Sequence, residues 1–214
     1  MFMSVRLCLT IVAVLCIVSC EDQKTERAPS NTFVAPNRAS DTLVIGQGPA
    51  GESVVRGFGF IMPVPAGTTV ERKAEGGVVY YDISGPLSPT PSRTPDQGPS
   101  EPQPIFQISV SVAGHASPAS LDAFVDSLRR ASNADADAGI GLMEPASAYD
   151  VGGRRALLLQ PPCGDCAAEE VYVGDRGRVM LFGYSFGIHL SGTPAEQRPI
   201  MRRILDGIRW VQRQ

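Results

Sequence analysis

The chain has 214 residues, 43% of them hydrophobic and 19% charged, with a net charge of −3. That is material for one ordinary domain with a leader and a tether, in a composition able to bury a core. The acidic balance excludes a broad basic surface of the kind that holds nucleic acid or anionic lipid by charge.

Residues 1–19 have the form of an export signal. Arg6 supplies a positive start, and Leu7 to Val18 is an apolar run broken only by Thr10. That run is shorter than the roughly 20 residues a bilayer span needs. It closes on Ile17-Val18-Ser19-Cys20, which resembles the bacterial lipobox: an aliphatic residue, a spacer, a small residue, then cysteine. Cys16 follows the bulky Leu15 and fits badly. The lipoprotein class this resemblance implies would lose residues 1–19 and carry a diacylglyceryl thioether and an amide-linked acyl chain on Cys20. Each buried methylene contributes about 0.8 kcal/mol, so several chains hold firmly where one does not. An ordinary cleaved signal beside a chance cysteine is the plainer alternative. Glu21, rather than Asp, follows the anchor; by resemblance to Gram-negative sorting rules, that favours the periplasmic face of the outer membrane.

Residues 20–41 are polar, contain Pro29 and Pro36, and show no apolar period. They read as a flexible tether reaching about 25 Å as a coil. A single domain is expected over 42–214. Its strand signals are Leu43 to Ile45, Phe58 to Met62 and Val78 to Ile83. Gly85 to Pro104, rich in Pro, Ser and Thr, reads as an exposed insertion expected to be disordered. Ile105 to Val112 then alternates cleanly between apolar and polar residues. A helix follows Ser117-Pro118, with Leu121, Phe124, Val125 and Leu128 on one face. Ala156 to Leu159 and Val171 to Val173 are further strands, and Gly174-Asp175-Arg176-Gly177 is a hairpin turn into Val179 to Ile188. In that last strand Met180, Phe182, Tyr184 and Phe186 are bulky, while Gly183, Ser185 and Gly187 leave room for a helix to lie close. Ile200, Met201, Ile204, Leu205 and Ile208 form a final helical stripe. Thr193 to Glu196 looks like its capping box, but Pro199 argues for a start near itself.

This order predicts an α+β domain with two helices packed on an antiparallel sheet. Phe58-Gly59-Phe60-Ile61-Met62-Pro63, the Leu121 to Leu128 helix, Tyr149-Asp150-Val151-Gly152-Gly153 and the ending Ile208-Arg209-Trp210 together resemble the Mog1/PsbP-like superfamily over most of Gly57 to Val211. That resemblance implies a largely non-enzymatic adaptor, assembly factor or envelope lipoprotein, and carries over no ligand-binding residue.

Four motifs invite chemistry. Gly46-Gln47-Gly48-Pro49-Ala50-Gly51, with Glu71 downstream, matches the dinucleotide fingerprint. That site needs a helix whose N-terminus holds pyrophosphate, and Gly57, Gly59, Pro63 and Pro65 forbid one. The same residues nearly spell a P-loop, but Glu52 stands where a lysine must be. Gly183-Tyr184-Ser185-Phe186-Gly187 matches a hydrolase elbow, yet only His189 follows Ser185, and His115 lies upstream. Asn133, Asp135, Asp137, Ile140 and Glu144 fall at EF-hand positions, but Ala138 replaces the turn glycine and Pro145 obstructs the exiting helix. Cys163-Gly164-Asp165-Cys166 reads first as a local disulfide in an oxidising envelope. Redox exchange would need a helix N-terminus to lower a thiol pKa, and Pro161-Pro162 gives none. Zinc would need both histidines as well.

The expectation is therefore a membrane-anchored envelope lipoprotein, a non-enzymatic binding or accessory module without cofactor. Its partners would be the bilayer, through acylated Cys20, and an envelope protein, with no nucleic acid. The rival is an enzyme, either a thiol-disulfide oxidoreductase at Cys163 and Cys166 or a serine hydrolase at Ser185. A calcium-stabilised module at Asn133 to Glu144 is a third possibility.

Overall fold

The computed structural model describes residues 42–48, 51–88, 102–116, 120–134, 141–162, 167–186 and 190–211. The tether, the central part of the insertion, both cysteines of the Cys163–Cys166 pair and Cys20 lie outside them. Described are β1 (Val44–Gln47), β2 (Ser53–Gly57), β3 (Phe60–Pro63), β4 (Thr69–Glu75), β5 (Val78–Ser84) and β6 (Gln107–Gly114). Helix α1 (Leu121–Ala134) follows, then β7 (Ser147–Val151), β8 (Arg154–Leu159), β9 (Ala167–Asp175) and β10 (Arg178–Phe186). Helix α2 (Pro194–Asp206) and β11 (Arg209–Trp210) complete the order.

The strands make two sheets. The larger runs β4-β5-β6-β10-β9-β8-β7, the smaller β1-β2-β3-β11, and the described pairings in both are antiparallel. Period-two alternation gives the larger sheet two working faces. On the inner face Tyr81, Ile83, Ile108, Val110, Val171, Val173, Met180 and Phe182 pack against Phe60 and Met62 of β3 and Met201, Ile204 and Leu205 of α2. Phe60, Phe106, Phe182 and Phe186 are fully buried, each contributing roughly 1.5–3 kcal/mol relative to exposure. On the outer face Leu121 and Val125 of α1 cover Leu157, Leu159, Tyr172 and Val179. The chain is an α+β protein with one helix on each face of an antiparallel sheet.

Several expectations change. β2, β4, β7 and β11 carried no clear apolar period, because they are sheet edges, short strands or highly charged. Phe58 is not in a strand; at φ 48° it turns with Gly59 between β2 and β3. The final helix begins at Pro194, not near Pro199, which lies inside it. Thr193 accepts from the Glu196 amide and Glu196 returns the bond to Thr193, a complete capping box that fixes the first turn despite the lost donor at Pro199. The two ends of the expected insertion, residues 85–88 and 102–104, are ordered, and residues 89–101 lie outside the described residues. Gly85 donates to Phe106 at 2.8 Å, Ser88 to Gln103 at 2.9 Å and Ile105 to Pro86 at 3.1 Å, so its two feet are laced together. On the shallow side of β10, α1 reaches only the Val179 end; at Gly183 no described helix comes close, the nearest atom to a Cβ built there being the Ser109 carbonyl oxygen at 3.9 Å. α1 sits instead over β8 and β9, where Leu157 and Tyr172 offer apolar area.

Candidate functional site

Among the described residues, a shallow cleft of about 380 Å³ lies between α2 and the far end of the large sheet. Its floor runs diagonally over four strands, from Tyr149 on the edge strand β7 through Leu158 and Glu169 to Tyr184. Its roof is one stripe of α2, Ala195, Arg198, Pro199 and Arg202, which share a helix face at i, i+3, i+4 and i+7. The adjoining stripe, Gln197, Met201, Ile204 and Leu205, is buried and holds the helix down. Gln197, only 1% exposed, ties the entry of α2 by donating to the carbonyls of Ser191 and Gly192 at 3.0 Å.

Glu169 is the electrostatic centre. It is 7% exposed, and a carboxylate out of water must be paired. Arg198 Nε donates to its Oε1 at 3.0 Å and the Tyr184 hydroxyl donates to its Oε2 at 2.7 Å. Burial, reinforced by the bond to Glu169, pushes the Tyr184 phenol far up, so Tyr184 stays a donor at any ordinary pH. Burial also raises the Tyr149 phenol. The two arginines lie over aromatic rings: Arg198 over Phe186 at 5.1 Å and Arg202 over Tyr149 at 4.4 Å. Arg202 is half exposed and is paired on its outer side with Asp206 at 3.1 Å, which raises its pKa further. The polar groups of the cleft are thus engaged with one another, and its remaining surface is aromatic and aliphatic. Such a surface recognises shape and apolar area.

A second cluster braces the neighbouring end of the sheet. Trp210 Nε1 donates to the Val151 carbonyl at 2.8 Å, and Arg154 stacks on the indole at 4.2 Å while pairing with the buried Asp175. Arg178 adds a second ion pair to Asp175 at 3.7 Å. This network fastens the C-terminal strand to the β7–β8 and β9–β10 turns.

Tyr149 and Tyr184, both within motifs quoted from the sequence, line the cleft, but the candidate catalytic, metal-binding and cofactor-binding residues lie apart from it or outside the described residues. Gly46, Gly48 and Gly51 form a hairpin between β1 and β2: Gly51 donates to Gly48 at 3.0 Å, with Gly51 at φ 79°. No helix follows them, Glu52 pairs with Arg209 at 3.1 Å, and Glu71 lies on β4 opposite Asp82. Ser185 sits in the ladder opposite Ala168, whereas an elbow needs its nucleophile on a strained turn. His115 is exposed, and His189 lies outside the described residues. Asn133, first position of the EF-hand pattern, uses its side chain as a staple: Oδ1 accepts from the Met143 amide at 2.7 Å and Nδ2 donates to the Met143 carbonyl at 3.1 Å. Glu144 is exposed, and Asp135, Asp137 and Ile140 lie outside the described residues. Cys20, Cys163 and Cys166 lie outside them also.

Sequence reasoning missed Glu169, Arg198 and Arg202. A signal existed for Glu169, which shares the inward parity of Val171 and Val173 in β9 and so sits where a carboxylate must be paired.

No protein-family model matches the chain, and no curated protein matches it significantly. Among solved structures, similarities at low identity include the following. One is a protein of Bacteroides thetaiotaomicron, 10% identical with a TM-score of 0.40, covering 81% of this chain and 49% of that one. Another is the solution structure of cyanobacterial PsbP (CyanoP) from Synechocystis sp. PCC 6803, 13% identical with a TM-score of 0.35, covering 83% of this chain and 96% of that one. The chain spans about half the length of the Bacteroides protein. No residue role is carried over from either.

Proposed function

We propose that this protein is a lipid-anchored envelope module that works by binding a partner rather than by turnover. Ile17-Val18-Ser19-Cys20 behind an apolar run supports the anchor. The observation that carries the binding half is the cleft beneath α2. Both oxygens of Glu169, its buried carboxylate, are taken by Arg198 and Tyr184, so that acid braces the site, and an apolar surface is left for contact. In a Gram-negative cell, Glu21 beside the anchor favours an outer-membrane, periplasm-facing location.

The experiment has two arms. Membrane fractionation of full-length protein and Cys20→Ala should move the variant to the soluble fraction after a salt wash; a variant that stays with the membrane refutes the anchor. A photo-crosslinking amino acid placed at Arg202, beside the cleft, should trap one discrete envelope protein in intact cells. The same probe at Asp126 on α1 should trap none. Equal trapping at both positions contradicts the cleft as the binding surface.

A further inference from the structure

We infer that the cleft receives an extended peptide segment of a partner protein, added as a further antiparallel strand on the open edge of β7 with one bulky apolar side chain seated beneath α2. This rests on the binding reading above and specifies its ligand class. Among the described residues β7 ends the seven-stranded order, with β8 its paired neighbour. The β7–β8 connection is two glycines with positive φ, Gly152 at 57° and Gly153 at 78°, the signature of a two-residue primed turn. In such a hairpin the flanking pair, Val151 and Arg154, is hydrogen-bonded, and bonded and non-bonded pairs then alternate along the ladder. Tyr149–Ala156 and Ser147–Leu158 are therefore bonded pairs. Asp150 and Ala148, opposite Arg155 and Leu157, direct their N–H and C=O groups away from β8. Those two residues offer four backbone groups at strand spacing. That is the chemistry of a polypeptide backbone, and adding a strand is a recurrent way to satisfy it.

The side-chain geometry agrees. Between those outward residues stands Tyr149, whose ring faces the inner side of the sheet and forms the near wall of the cleft. A residue of an added strand paired with Tyr149 projects to that same side. It would meet Tyr149 and the Arg202 guanidinium stacked on it, at the mouth of the cleft that Leu158 and Pro199 line further in. The two edges of the large sheet also differ in protection. β4, the opposite edge, carries Glu71, Arg72, Lys73 and Glu75, charges that discourage strand addition. β7 carries one charge, Asp150, and neither lysine nor proline.

The test uses the full-length chain in detergent. A phage-displayed library of linear peptides is panned against it, and the best binder is remade with single N-methyl groups walked along its backbone. Alternate positions should lose binding about tenfold, while the positions between should be unaffected. Hydrogen exchange should slow at the Ala148 and Asp150 amides on binding. Leu158→Trp, which fills the cleft, should weaken binding at least tenfold with the melting temperature kept. A flat N-methyl profile, protection confined to other strands, or failure to recover any binder overturns the inference. So does a stable dimer protected at Ala148 and Asp150, since a second copy would then occupy the edge. The crosslinking arm above reports on the binding reading separately: a partner trapped at Arg202 with a flat N-methyl profile would remove strand addition alone.

Discussion

The Tyr184 hydroxyl donates to Glu169 Oε2 at 2.7 Å, below a helix whose Arg198 holds the other oxygen at 3.0 Å. The two partners come from β10 and α2, so a carboxylate on β9 fastens the second helix to the sheet. Because Glu169 is 7% exposed, losing either partner leaves a desolvated charge short of a donor. Tyr184→Phe keeps the ring and removes the donor. It should cost about 1–3 kcal/mol in urea unfolding, with the loss greatly reduced in a Glu169→Gln background.

The alkaline limb of stability follows from the tyrosines. Tyr149, Tyr172 and Tyr184 all have phenols raised by burial. A raised phenol pKa means the folded state prefers the protonated form. This contribution is complete below about pH 10, the unfolded value, and is lost as pH rises beyond it. Near-ultraviolet titration should show little phenolate from these three at pH 10, then a steep rise coincident with unfolding by circular dichroism. A smooth titration in a folded protein would contradict this.

Gly152 and Gly153 separate steric need from backbone preference. A Cβ on Gly152 would lie 1.9 Å from the Ile208 carbonyl oxygen at φ 57°, whereas nothing lies within 4 Å of one on Gly153 at φ 78°. Gly153→Ala should cost about 1–2 kcal/mol, the ordinary left-handed penalty. Gly152→Ala should cost more than about 3 kcal/mol and loosen the Trp210 contact with Val151. Thermal unfolding followed by Trp210 fluorescence, the only indole in the chain, distinguishes the two.

Much of this arrangement was legible in the sequence, and the reasons for the rest are physical. β5, β6 and β10 announced themselves because one face of each is a run of core residues. The Thr193–Glu196 capping box was visible too, and it placed the start of α2 better than Pro199 did. β4 was hidden because an edge strand with Glu71, Arg72, Lys73 and Glu75 faces water, and β11 because two residues carry no period. The cleft was invisible for another reason. Tyr149, Glu169, Tyr184 and Arg198 come from four elements, and only sheet order brings them together.

Glu170 tests the outer face. Burial raises its carboxyl pKa, opposed in part by the bond donated from Tyr172 at 2.6 Å. A raised carboxyl pKa favours the folded state only while the group is protonated. Its contribution is present below about pH 4.3 and lost as pH rises. Glu170→Gln should therefore raise the melting temperature by about 1–3 °C at pH 7, a gain that shrinks toward pH 4. A gain equal at both pH values would contradict a carboxyl raised by partial burial.

In the function proposed, acyl chains on Cys20 hold this folded body beside a bilayer. Intact-mass analysis of protein purified from native membranes measures that directly. The expected product begins at Cys20 and carries the added mass of a diacylglyceryl group and an amide-linked acyl chain. A mature terminus at any other residue, or Cys20 with a free thiol, would contradict it.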